Sequence, residues 1–104
     1  MNFGNYIRRQ INWSKKTFGP NDRLKGVLEH IRQELIEVEE HPKDASEWAD
    51  IIILAIDGAW RQGLSAERIV DALKKKQEKN FNRVWPDWRG KSENEPINHD
   101  RSKD

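Results

Sequence analysis

Two pairs of acidic residues, each spaced three positions apart, are the part of the sequence best suited to chemistry. Glu34 and Glu37 form one pair, and Glu47 and Asp50 form the other. Residues three apart share a helix face, and carboxylate oxygens are the ligands that Mg²⁺ and Mn²⁺ prefer. Converging carboxylates about 4 Å apart repel by roughly 4 kcal/mol per pair at an effective dielectric of about 20. Divalent cations, protonation or arginine partners must therefore offset their charge.

Asp57 and His30 have simpler interpretations. Arg61 follows Asp57 by four positions, which is the spacing of an ion pair on one helix face. We therefore predict an Asp57–Arg61 pair rather than a metal ligand. His30 precedes Glu34 by four positions at the edge of an apolar stripe. It is expected to pack or to form a hydrogen bond there, with a contact to phosphate or nucleotide as the alternative.

The charge of the chain is strongly uneven along its length. The formal net charge is +1, but it is +4 over residues 1–21, −6 over 29–50 and +5 over 61–91. An acidic centre between basic flanks is typical of a metal site that serves a polyanionic ligand. Solvated helix faces are the alternative interpretation.

Three residues downstream of the acids are candidates to hold phosphate oxygens. Lys76, Asn80 and Arg83 continue the apolar face of one predicted helix, which indicates that they point into a cleft. Ion pairs with the acidic faces are the alternative. Trp13 and Trp85 lie near segment ends, where a ring could stack on a base or pack at an oligomer contact.

Hydrophobic periodicity predicts four helices and no strand. The first predicted helix covers about 3–16 and ends near Phe18-Gly19-Pro20. The others run from a cap at Asn21 or Asp22 to 40, from 44 or 46 to 62, and from a Ser65 cap to 81 or 84. The short turn at His41-Pro42 makes the second and third helices antiparallel neighbours, so their acids can face each other. The expected fold is an all-α, four-helix bundle.

Composition bounds the size of the protein and its setting. A chain of 104 residues is one domain, and with 36% charged and 35% hydrophobic residues its core is small. The third helix is apolar almost all round, so we expect a partner subunit to complete the bundle. We predict a domain over 1–88 and a charged tail over 89–104 that is flexible or packed on a neighbouring subunit.

The absence of cysteine excludes a disulfide framework, a thiolate zinc site and a cysteine nucleophile. The sequence has no signal-peptide pattern and no apolar run long enough to span a membrane. We therefore expect a soluble, cytoplasmic protein without a membrane partner.

Most of the chain resembles a known enzyme family. The family motif is an ExxE pair on one helix and an ExxD pair on the next, here Glu34/Glu37 and Glu47/Asp50, followed by Lys76, Asn80 and Arg83. This combination is similar to the MazG-like all-α nucleotide pyrophosphohydrolases. It is closest to the dATP/dGTP diphosphohydrolase domains common in phages and prophages.

The resemblance implies Mg²⁺-dependent hydrolysis of a (deoxy)purine triphosphate such as dATP or dGTP to the monophosphate and pyrophosphate. The four motif acids would bind Mg²⁺, with Mn²⁺ as the other candidate, and Glu34 or Glu37 would orient or deprotonate the attacking water. The substrate-binding residues would be Lys76, Asn80, Arg83, His30, Trp13 and Trp85. Family members also assemble as dimers or tetramers.

Two other classes of protein fit parts of the sequence. A non-catalytic helical module could bind nucleic acid through its basic segments, although the acidic centre argues against this. A purely structural bundle is the third interpretation. The residues leave open the preferred base and sugar, the number of metal ions, and the choice between dimer and tetramer.

Overall fold

The computed structural model describes residues 2–103, excluding the side chain of Lys103, and contains only helices, turns and loops. The helices are α1 (Phe3–Phe18), α2 (Leu24–Glu40), α3 (Ala45–Arg61) and α4 (Ala66–Phe81), and two short 3-10 segments cover Trp88–Gly90 and Arg101–Lys103. No strand occurs among these residues, so the predicted all-α fold is confirmed.

Helix α1 ends at Phe18, within the predicted stop at Phe18-Gly19-Pro20. Its start is capped by Asn2, whose side-chain oxygen accepts a hydrogen bond from the Asn5 N–H at 3.0 Å. Its end is set by Gly19, which adopts a φ of 85° and donates its N–H to the Lys15 carbonyl at 3.0 Å. Gly19 therefore terminates the helix, as predicted.

Helices α3 and α4 begin at predicted polar caps, Asp44 and Ser65, whereas α2 begins after Arg23, which makes no side-chain cap hydrogen bond, so the predicted cap at Asn21 or Asp22 is wrong. Asp22 accepts a hydrogen bond from the Leu24 N–H at 2.9 Å, Asp44 accepts one from the Ser46 N–H at 2.9 Å, and Ser65 accepts one from the Arg68 N–H at 3.2 Å. Arg23, between Asp22 and α2, has a φ of 52°, which is uncommon for a residue with a side chain.

The chain divides into two compact units, Met1–Asp71 and Ala72–Asp104. In the first unit α3 is central, because it contacts both α1 and α2. The start of α4 also belongs to this unit and packs on α1 and α3. The core of the unit consists of Ile7, Ile56, Trp60, Ala66 and Ile69.

The second unit contains the rest of α4 and the segment that follows it. The Asp100 N–H donates a hydrogen bond to the Val84 carbonyl at 2.9 Å, and the Trp85 and His99 rings lie 5.7 Å apart, edge to face. The described part of the tail thus folds back on residues 84 and 85. Asp104 lies outside the described residues, and the single domain over 1–88 and a tail packed on a neighbouring subunit stay predictions.

Helix α3 keeps part of its apolar surface exposed. Trp48 is 51% exposed and Ile52 is 57% exposed, while Trp60 is buried in the core.

Within the described chain, no helix combines the length and the hydropathy that a bilayer crossing requires.

Candidate active site

Three of the four predicted metal ligands meet between α2 and α3. One carboxylate oxygen each from Glu34, Glu47 and Asp50 lies within 4.8 Å of the others. Residues 41–44 reverse the chain between the two helices, and this brings the end of α2 beside the start of α3. The two helices thus form a small cluster of oxygen donors, which we call the acid cluster.

Glu37, the fourth predicted ligand, belongs to a second group. Its side chain lies with those of Glu40 and His41, and one donor atom from each lies within 4.8 Å of the others. All three residues are exposed. Glu37 is about 60° around the helix from Glu34, so it lies beside the acid cluster rather than among the three oxygens.

The acid cluster carries excess negative charge. Burial raises the pKa of Glu47 above its ordinary value of 4.5, and the charges of Glu37, Asp44 and the two other cluster acids raise it further. His30 Nε2 lies 3.3 Å from Glu34 Oε1. Among the described residues, no lysine or arginine pairs with a cluster acid. An all-oxygen donor set with uncompensated charge fits a hard divalent cation.

A cavity of about 290 Å³ adjoins the acid cluster. Glu34 and Asp50 line it, as do Arg23 and Gly26 at the start of α2. Eight residues of α2 separate Gly26 from Glu34, so the cavity extends for about 12 Å along the helix at 1.5 Å per residue. Its volume is at the lower end of the range for small-molecule sites.

Two aromatic rings from the end of α1 line the same cavity. Trp13 and Phe18 meet edge to face, with ring centroids 5.5 Å apart, and both are more than half exposed. Trp13 and His30 are predicted substrate contacts, and the cavity is lined by both, together with two of the predicted metal ligands. Their roles stay predictions.

The sequence did not predict that α1 contributes polar side chains to this cavity. Gln10 and Ser14 line it and are 9% and 2% exposed. With Ile7 they follow the helical spacing i, i+3, i+7, so the periodicity of α1 contained the signal. Because polar residues usually face water, these two were not recognised as part of the buried face.

The predicted Asp57–Arg61 ion pair is confirmed. Arg61 Nε lies 2.8 Å from Asp57 Oδ2, and the two side chains are 1% and 13% exposed. Arg61 also donates to the carbonyls of Gly19 and Asn21 at 3.0 and 2.6 Å, and to Ser14 Oγ at 3.1 Å. This pair therefore ties α3 to the connection between α1 and α2.

The carboxylate of Asp57 has several hydrogen-bond partners. It accepts hydrogen bonds from the Ser14 hydroxyl, the Trp60 indole N–H and the Arg61 guanidinium. Burial raises the pKa of Asp57, but these three hydrogen bonds and the charge of Arg61 outweigh it, so its pKa lies below the ordinary 3.8. Asp57 therefore has a structural role, as its spacing from Arg61 predicts.

The remaining predicted substrate contacts belong to the second unit. Arg83 donates to the Asn80 side-chain oxygen at 3.0 Å, and the Trp85 indole N–H donates to the Asn80 carbonyl at 2.8 Å. Lys76 is exposed. Contacts of these four residues with phosphate or base stay predictions.

A helix bearing an ExxE pair that packs against a helix bearing an ExxD pair, in an all-α chain, is the arrangement of MazG-like nucleotide pyrophosphohydrolases. The family model for dATP/dGTP pyrophosphohydrolase matches residues 6–104, so the chain belongs to that family. It is therefore a hydrolase that cleaves a phosphoanhydride bond of a nucleoside triphosphate. Searches of curated proteins and of solved structures found no match to the chain.

Proposed function

We propose that the protein hydrolyses a (deoxy)purine triphosphate, such as dATP or dGTP, to the monophosphate and pyrophosphate in a reaction that requires Mg²⁺. The main support is the position of the acid cluster beside a cavity that is also lined by two aromatic rings. The acid cluster suits a metal-bound polyphosphate, and the aromatic rings suit a planar base. The family match supports the same substrate class.

The residues that line the cavity support one orientation of the nucleotide. The triphosphate lies at Glu34 and Asp50, and the base lies near Trp13 and Phe18, both of which line the same cavity. His30, beside Glu34, is within reach of the phosphates or the sugar. Water attacks the α-phosphorus, the bond from that phosphorus to the bridging oxygen breaks, and pyrophosphate leaves.

The four motif acids have two roles in this proposal, which are cation binding and activation of water. Glu34, Glu47 and Asp50, with Glu37 beside them, would hold Mg²⁺ or alternatively Mn²⁺, and the bound cation would supply positive charge that offsets the charge developing in the transition state. Glu34 or Glu37 orients the attacking water or accepts its proton. Glu37 lies outside the three-oxygen group, which favours it as the acid that acts on water.

For the second unit we propose that Lys76, Asn80 and Arg83 bind phosphate oxygens of the nucleotide and that Trp85 contacts a base or a sugar. A cationic and amide set suits phosphate oxygens, because lysine supplies a point charge and arginine a planar pair of donors.

We also propose that a second copy of the chain covers an apolar flank of α2 and α3. The flank consists of Leu28 and Leu35 on α2 and Trp48 and Ile52 on α3, each at least 40% exposed. At about 100° per residue, these side chains and the cluster acids lie on opposite sides of the line where α2 meets α3. A copy bound there buries apolar surface and leaves the acid cluster accessible.

Light scattering tests this proposal: Ile52→Asp is expected to shift the protein to monomers.

The decisive experiment measures pyrophosphate release from a panel of ribo- and deoxyribonucleoside triphosphates with Mg²⁺, Mn²⁺ or EDTA. We expect purine deoxynucleotides to be hydrolysed, with monophosphate and pyrophosphate in equal amounts and no turnover in EDTA. Release of inorganic phosphate instead of pyrophosphate, or equal turnover with EDTA, would contradict the proposal. Glu39→Gln, an exposed change on α2, is the matched control for substitutions of the cluster acids.

A further inference from the structure

Gln10 is the buried side chain of α1 whose hydrogen bonding is incomplete. Its Nε2 donates to the Ile53 carbonyl of α3 at 2.9 Å, while its Oε1 has no hydrogen-bond partner among the described residues. The residue is 9% exposed and lines the cavity beside the acid cluster. Gln10 therefore carries one unsatisfied acceptor, and the residue belongs to the wall of this cavity and of a neighbouring one lined by Tyr6, Arg9, Trp13 and Ile53.

The Ile53 carbonyl determines which end of the Gln10 amide is available. A carbonyl can only accept a hydrogen bond, so the NH₂ group must face Ile53 and the oxygen must face away from it. A buried acceptor without a partner costs free energy. A ligand that brings an N–H donor to Oε1 recovers that energy, whereas a ligand that brings an acceptor or a C–H group does not.

The surroundings of Gln10 indicate which part of a nucleotide supplies the donor. Trp13 and Phe18 line the same cavity, and their rings suit a planar base rather than the charged phosphates. The donors of a purine nucleotide are the N–H groups of the base and the hydroxyls of the sugar, and of these two parts only the base is suited to contact with the aromatic rings. We propose, on the basis of the function proposed above, that Gln10 Oε1 accepts a hydrogen bond from the exocyclic amino group of the purine and so selects bases that carry one.

Contact with the base requires a small movement of the cavity wall. The Gln10 oxygen is shielded from water, so a donor reaches it only when a neighbouring side chain shifts. Trp13 lines the cavity beside Gln10 and is 55% exposed, so packing restrains its ring little. Movement of this indole opens the approach to Gln10.

The test combines one substitution with one change in the substrate. Pyrophosphate release is measured with the better of dATP and dGTP, and with the analogue that lacks its exocyclic amino group, which is the 2′-deoxypurine triphosphate or dITP. For the wild type we expect loss of the amino group to lower kcat/KM by about ten-fold or more. For Gln10→Met, which has a similar volume and no comparable acceptor, we expect less than about a two-fold difference between the two substrates.

One further variant separates base recognition from a structural role. Gln33→Met makes the same change at an exposed glutamine and is expected to keep the wild-type preference. If Gln10→Met does not fold, the comparison of the two substrates with the wild type still tests the inference. An equal loss of kcat/KM on both substrates in Gln10→Met, or no preference in the wild type, would overturn this inference. Absence of triphosphate hydrolysis by the wild type would instead overturn the proposed function.

Discussion

Helix α3 carries two aspartates, Asp50 and Asp57, that have opposite surroundings. They are seven residues apart and point in nearly the same direction from the helix. Asp57 accepts three hydrogen bonds and pairs with a buried guanidinium, whereas Asp50 lies beside two other carboxylates. Neighbouring side chains, rather than residue type or helix face, therefore decide whether an acid supports the fold or remains available to bind a cation.

Substitution of Asp57 is expected to have the largest effect. Asp57→Asn removes the charge opposite Arg61, whose side chain is 1% exposed, and leaves that cation buried without a counter-ion. Breaking a buried pair in this way costs about 3–5 kcal/mol of folding free energy. Urea denaturation should show a lower midpoint with an unchanged slope. A loss within error of that for the control Glu39→Gln would show that the pair contributes little.

The same substitution at Asp50 should affect activity and leave folding intact. Asp50→Asn removes one oxygen charge from the acid cluster, which we expect to lower kcat for pyrophosphate release by about 10²–10³-fold. Because repulsion among the acids also falls, stability to urea should be unchanged or higher. If Asp50→Asn instead unfolded the protein while retaining activity, the contrast between the two aspartates would be wrong.

A divalent cation should distinguish the two aspartates in a thermal denaturation experiment. Mg²⁺ bound only by the folded acid cluster stabilises the wild type by about 2.7 kcal/mol at a hundred times its dissociation constant. The melting temperature should therefore rise with MgCl₂ in the wild type and not in Asp50→Asn. Sodium chloride at matched ionic strength controls for screening. An equal rise with both salts would argue against a specific cation site.

Acid should remove part of the contribution of Asp57. Its pKa is lower in the folded protein than the ordinary 3.8, so its stabilising effect is complete above about pH 4 and is lost as the pH falls through the folded value. The difference in unfolding free energy between wild type and Asp57→Asn should therefore shrink from pH 5 towards about pH 2. A difference that stayed constant over this range would contradict the lowered pKa.

The helices were predictable because their signals are local. Apolar spacing, caps such as Asp44 and Ser65, and the terminating Gly19 each act within one or two turns. The Asp57–Arg61 pair was predictable for the same reason. The cavity was not, because periodicity places Gln10 and Ser14 on the buried face of α1 but does not tell which parts of α2 and α3 that face meets. The position of Glu37 also depends on helix packing. Its spacing predicts that it lies with Glu34, but the contact between α2 and α3 brings Glu34, rather than Glu37, into the group with Glu47 and Asp50.

Gly58 of α3 faces Val27 of α2 with no side chain between them. A Cβ built there would lie 3.3 Å from Val27 Cγ1, so with alanine at this position Val27, or the helix that carries it, would have to shift by a few tenths of an ångström. Asp50 is eight residues away on the same rigid helix, and a wedge at Gly58 would also change the gap between oxygens across the two helices. Preferred ion–oxygen distances differ by a similar amount, about 2.1 Å for Mg²⁺ and about 2.4 Å for Ca²⁺. Gly58 is therefore a position, remote from the acids themselves, at which the ion preference of the proposed site can be altered.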